Sequence, residues 1–102
     1  MHAGAPAPSA ERLMRARYSA FVVGDAVYLW DTWHGSTRPD TVELHPGIRW
    51  TGLEMVDVVD DGDRAVVEFR AHYRDPEGQG VQQERSRFAR RAGRWFYLDA
   101  ED

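Results

Sequence analysis

In the stretch VQQERSRF, Val81 to Phe88, a carboxylate and a hydroxyl stand two positions apart, at Glu84 and Ser86. On a strand that spacing sends both side chains to one face. A carboxylate held among aromatic rings is a candidate general base. The phenols of Tyr73, Tyr97 or Tyr18 would then donate hydrogen bonds to a developing oxyanion. The structural alternative is a Glu84 satisfied by an arginine or an indole N–H, without chemistry. A third use of the same group is binding: an aromatic-lined hollow made of Tyr18, Trp33, Trp50, Tyr73, Ser86, Trp95 and Tyr97 can hold a small apolar ligand, with Glu84 orienting it.

The other reactive types carry weaker patterns. The four histidines, His2, His34, His45 and His72, are scattered, and none forms a pair at metal-ligand spacing. No metal and no cofactor is expected. His34 reads as a dipole partner at the end of a helix, and His72 as a surface group. Ser9, Ser19, Ser36 and Ser86 stand in no strand–turn–helix nucleophile elbow. The glycines of PEGQG precede a strand, not the helix that a phosphate loop requires.

The composition narrows the partners. With 102 residues the chain is one domain, spanning 1–102, with one modest core. Thirteen basic against 17 acidic residues give a net charge of −4, the wrong sign for a nucleic-acid surface. Every basic residue is Arg; alongside abundant Ala, Gly and Pro, this reads as genomic base composition rather than a recognition device. With no cysteine, disulfides and thiolate metal sites are excluded. No apolar run is long enough for a membrane span, and MHAGAPAPSA lacks a secretory pattern. A cytoplasmic location is expected.

The elements that must position Glu84 follow from periodicity. After an irregular lead-in, Ser9 is an N-cap with Glu11 in the first turn. Met14, Tyr18, Phe21 and Val22 then form one apolar helical stripe, ended by Gly24. Asp25 caps a second helix through AVYLWDTWHG, with Val27, Trp30 and Trp33 near one face and Gly35 as its stop. Between Pro39 and Pro46 a short helical turn is expected. From Ile48 the pattern is β: IRWTGLEMVDVV, a DDGD turn, RAVVEFRAHYRD, a PEGQG turn, VQQERSRFARR, a two-residue Ala92–Gly93 hairpin and RWFYLD. Helices followed by an antiparallel meander make an α+β fold.

Two pairings of the second and third strands compete. If Phe69 faces Phe88, one face gathers Val67, Phe69, Ala71, Tyr73, Glu84, Ser86 and Phe88, and the last hairpin adds Trp95, Tyr97 and Asp99. If His72 faces Glu84, then Glu68, Arg70, His72, Glu84 and Ser86 cluster, and Arg85 and Arg87 fall among apolar residues. The first is preferred, since burying an unpaired charge is costly. It makes Glu84 an inward carboxylate, either paired with Arg17, Tyr18 or Trp33 or lining a cavity. Phe96 and Leu98 make the outer side of the last strand apolar as well, which predicts a homodimer through the sheet.

Together LMRARYSAFVVGDAVYLWDTWH, IRWTGLEMV, VEFRAHYRD, QERSRF and GRWFYLD resemble the YchJ-like family, small bacterial proteins often linked to the SEC-C zinc motif. The likeness runs from His2 to Asp99, in the family's segment order. It implies a nuclear-transport-factor-like, or ketosteroid-isomerase-like, cone: helices packed in the hollow of a curved antiparallel sheet. It implies no particular reaction. The SEC-C cysteines are absent, so the zinc role is not carried over. The functional expectation is a small-molecule-binding module or interaction module with an aromatic-lined pocket, rather than an enzyme. The alternatives are an acid–base enzyme using Glu84 and an interaction domain acting through the sheet face.

Overall fold

The computed structural model describes residues 6–101; His2 and the start of the lead-in lie outside them. Helix α1 covers Ala10–Val23 and α2 covers Ala26–Asp31. Strands β1 (Arg49–Asp61), β2 (Arg64–Asp75), β3 (Gly78–Arg91) and β4 (Arg94–Ala100) form one antiparallel meander in chain order. The α+β order and the helix-filled curved sheet expected from the sequence are present.

Helix α1 starts where its cap predicts. The Ser9 hydroxyl accepts from the Arg12 N–H at 3.1 Å. It ends at Gly24, whose φ of 78° lets its N–H reach back to the Ala20 carbonyl. The buried line, however, is Ala10, Leu13, Met14, Arg17 and Ala20. Tyr18 and Phe21 flank it, and Val22, expected on the apolar stripe, is exposed. The stripe is rotated because Arg17 occupies its centre and keeps its head group inside the fold.

Asp25 caps α2 by accepting from the Tyr28 N–H at 3.0 Å. The helix is shorter than its apolar pattern suggested. Its buried residue is Leu29, while Val27 and Trp30 are exposed. It stops because the chain turns to pair with β4. The Tyr97 N–H donates to the Thr32 carbonyl at 2.8 Å, and the His34 N–H donates to the Tyr97 carbonyl at 2.7 Å. Trp33 is thereby a bridge residue, not a helical one. The segment from Pro39 to Pro46 holds no helix; it crosses as bends and extended chain.

The register of β2 on β3 has the parity of the preferred pairing, displaced along the strands. Phe69 sits across from Glu84, Val67 from Ser86 and Ala65 from Phe88. Val67, Phe69, Ala71, Ser86 and Phe88 are all buried on the inward face. Phe88 is fully buried, with the Tyr97 ring edge-on at 5.8 Å. Asp99 is the exception. A bulge opposite Arg87 and Phe88 shifts the register by one, so Asp99 pairs with Arg87 on the outer face and binds its guanidinium at 2.6 and 2.8 Å.

The outer face carries ion pairs through its middle. Arg85 joins Glu68 at 2.8 Å and Glu101 at 3.1 Å, and Glu54 lies 3.6 Å from His72 and 3.7 Å from Arg70. Hydrogen bonds from Gln83 and then Arg85 hold the Glu68 carboxyl below its ordinary range. Arg87 does the same for Asp99.

The last hairpin turns through Ala92 and Gly93, with φ of 52° and 77°. Two successive positive φ values define the turn that matches strand twist, and alanine tolerates that region poorly. Ala92→Asn should therefore raise stability by about 0.5–1 kcal/mol, seen as a higher denaturation midpoint at unchanged m-value.

Candidate functional site

A cavity of about 500 Å³ lies between α1, the segment 43–48 and the inward face of the sheet. Such a volume is within the usual range for small-molecule sites. Each wall follows from the register. Strands β2 and β3 supply Phe69, Ala71, Gln82, Glu84 and Ser86; α1 supplies Met14, Arg17, Tyr18 and Phe21. Trp33 and Tyr97 close one end, packed edge to face at 5.1 Å. Trp50 of β1 closes another, with Tyr18 at 6.3 Å and Phe21 at 6.2 Å.

Of the residues the sequence singled out, Tyr18, Trp33, Trp50, Glu84, Ser86 and Tyr97 meet around this space. Tyr73 and Trp95 do not reach it. Tyr73 is on the inward face but is paired with Gly80, and its ring covers that residue so closely that a Cβ at Gly80 would lie 2.5 Å from it. Trp95 is buried in the core beyond Phe88, with the Arg90 guanidinium 5.5 Å from its ring centre. His34 is not at a helix end: its Nδ1 faces the Ser36 hydroxyl at 2.8 Å, and its ring meets Phe96 at 5.9 Å. His72 is exposed beside Glu54, and His45 lies on the rim of the cavity.

Glu84 is half-buried and forms no ion pair with any described residue. One of its oxygens accepts from the Ser86 hydroxyl at 2.6 Å and from the Tyr97 hydroxyl at 3.3 Å. The pairing with Arg17, Tyr18 or Trp33 that the sequence left open is not made. Of the phenols expected to serve a reacting oxygen, Tyr97 is turned to the carboxylate instead, as is the Ser86 hydroxyl.

The sequence underrated Arg17. It is 3% exposed, yet no carboxylate of the described residues lies within ion-pair distance. Its Nη1 donates to the Leu29 carbonyl at 2.8 Å and to the Thr32 hydroxyl at 2.7 Å, carbonyl and hydroxyl at the end of α2. Its guanidinium carbon lies 4.6 Å from the Tyr97 ring centre and 5.5 Å from that of Trp33. Burial pulls its pKa down to about 10, partly opposed by Tyr97, Tyr28 and Glu84. Its signal was an arginine in the middle of an apolar helical stripe. The segment 43–48, which roofs the cavity with Leu44, had none, since it belongs to no periodic element.

Burial, reinforced by the Glu84 charge, pushes the Tyr97 phenol well above its ordinary value. An acid whose folded value is raised contributes stability below its unfolded value and loses it as pH climbs past that value. Stability should therefore fall as pH rises beyond about 10, the unfolded phenol's range. Arg17, whose folded value is lowered, acts in the opposite sense there. Tyr97→Phe should leave a shallower fall, or a rise, between about pH 9 and 11 in denaturant titrations.

Residues 9–100 match the family described as "YchJ, middle NTF2-like domain". The UPF0225 protein SCO1677 of Streptomyces coelicolor is 53% identical over 98% of this chain and 81% of its own length. A UPF0225 protein of Polaromonas sp. is 48% identical over 97% of this chain and 73% of its own. Among solved structures, RPA3114, a SEC-C motif containing protein from Rhodopseudomonas palustris, superposes with a TM-score of 0.87 at 29% identity, over 95% of this chain and 80% of that one. A SEC-C motif containing protein from Psychrobacter arcticus gives a TM-score of 0.80 at 30% identity, over 96% of this chain and 63% of that one. The matched segment takes in both helices and all four strands that wall the cavity, and the chain belongs to the YchJ family through its NTF2-like middle domain.

Proposed function

We propose that this domain is a small-molecule-binding module whose ligand occupies the space between α1 and the sheet. The cavity of about 500 Å³, walled by Tyr18, Trp33, Trp50, Phe69 and Tyr97, carries the reading. Aromatic walls with a few polar groups are the usual make-up of such sites. Binding is favoured over acid–base turnover by the Glu84 carboxylate, which already takes the Ser86 and Tyr97 hydroxyls. A base in use would leave those donors to the substrate.

Ala71 lies on the cavity wall in the middle of β2 and is buried. Ala71→Phe projects a ring into the space. With 2-naphthol as probe, the indole N–H resonances of Trp33 and Trp50 should shift in the unmodified chain and stay still in Ala71→Phe. Shifts that persist in Ala71→Phe, or that fall on Trp30 or Trp95 instead, would remove the pocket from the proposal.

The homodimer through the outer face belongs to the same proposal, supported by Val59, Val66 and Phe96 beside the ion-paired rows. Val59→Asp should lower the apparent mass in sedimentation equilibrium; a wild-type chain of monomer mass would end this part of the reading. No helix among the described residues is long and apolar enough to cross a membrane. A cytoplasmic setting is proposed alongside, on the cysteine-free composition.

A further inference from the structure

The cavity holds two opposite charges, neither of which forms an ion pair with any described residue. One is Arg17, 3% exposed, whose hydrogen bonds to described residues run from Nη1 to Leu29 and Thr32; Nε and Nη2 donate to none of them. Beside it Trp33, another wall residue, buries an indole N–H with no acceptor among the described residues. Nε and Nη2 of Arg17, engaged by no described residue, call for an acceptor, and next to a desolvated guanidinium an anionic one is preferred. The other is Glu84, with one oxygen engaged by Ser86 and Tyr97 and the other engaged by no described residue.

A simple anion would satisfy Arg17 but meet the Glu84 charge within the same small space. A simple cation would do the reverse. The ligand that answers both carries both signs. We propose that the pocket takes a dipolar ligand, an apolar body bearing a carboxylate and a protonated amine. The carboxylate sits against Arg17, the amine against Glu84, and the body among the aromatic walls. This rests on the pocket reading above and names the chemistry of what fills it.

Three probes of one shape separate the two ends: L-phenylalanine, 3-phenylpropionate, which lacks the amine, and phenethylamine, which lacks the carboxylate. Titrated into the full chain and followed at the Trp33 indole N–H, L-phenylalanine should bind roughly tenfold tighter than either relative, about one charge-assisted hydrogen-bonded contact. Glu84→Gln should erase its advantage over 3-phenylpropionate, weakening L-phenylalanine while 3-phenylpropionate, freed of the nearby carboxylate, binds more tightly than before. Arg17→Met should weaken both carboxylates and strengthen phenethylamine, which no longer meets the guanidinium charge. Arg17 also ties α1 to α2, so Glu84→Gln, at a half-buried position, serves where Arg17→Met does not fold. Equal affinity for all three probes, no binding by any, or L-phenylalanine binding that Glu84→Gln leaves intact would overturn the dipolar ligand. In each case the 2-naphthol shifts and their loss in Ala71→Phe decide separately whether the pocket itself stands.

Discussion

Side chains on a strand alternate between faces, so the pairing of β2 with β3 decides which half of each strand meets the helices. Placing Phe69 across from Glu84 turns Val67, Ala71, Ser86 and Phe88 inward with them. The same parity sends Glu68, Arg85 and Arg87 outward, where acids on neighbouring strands receive the arginines. A one-residue slip would bury those charges and expose Phe88. The core, the outer ionic rows and the inward position of Glu84 are therefore consequences of a single alignment.

Much of this alignment was readable, because apolar and charged residues alternate with few exceptions from Ala65 to Phe88. What was not readable depends on contacts between elements distant in the chain. Asp99 changes face because of a bulge opposite Arg87, and no local pattern marks a bulge where the residues around it suit a strand. The second helix ends at Asp31 although Trp33 continues its apolar pattern, because the backbone at Thr32 and His34 is claimed by Tyr97 some sixty positions on. Tyr73 and Trp95 sat on the right face but at the wrong places along it. Face follows from parity alone, whereas reach toward a cavity depends on strand length, twist and what lies across, such as Gly80 beneath the Tyr73 ring.

Arg17 shows how a charge can be placed inside a fold without an ion pair. Its cost is reduced by a carbonyl and a hydroxyl at the end of α2, where the helix dipole is negative, and by the faces of Trp33 and Tyr97. The arrangement ties α1, α2 and β4 to one head group. Packing alone does not require it; a leucine in the same stripe would bury more simply. That contrast separates Arg17 from the neighbouring core residue Leu13, which is apolar and fully packed.

The short bridge between Trp33 and Tyr97 has a further effect at the margin of the sheet. A meander of four strands has two rims, and an unprotected rim invites another chain to add a strand. Along β4 the rim is taken by residues 32–34, reinforced by the Thr37 hydroxyl on the Leu98 carbonyl at 2.7 Å. Along β1 the rim is interrupted by two irregularities, between Trp50 and Gly52 and between Met55 and Asp57, and ends in Asp60 and Asp61. Both margins are thus poor templates for runaway strand addition, and a chain built this way can be held at high concentration, or in tandem with other domains, with little tendency to form fibres.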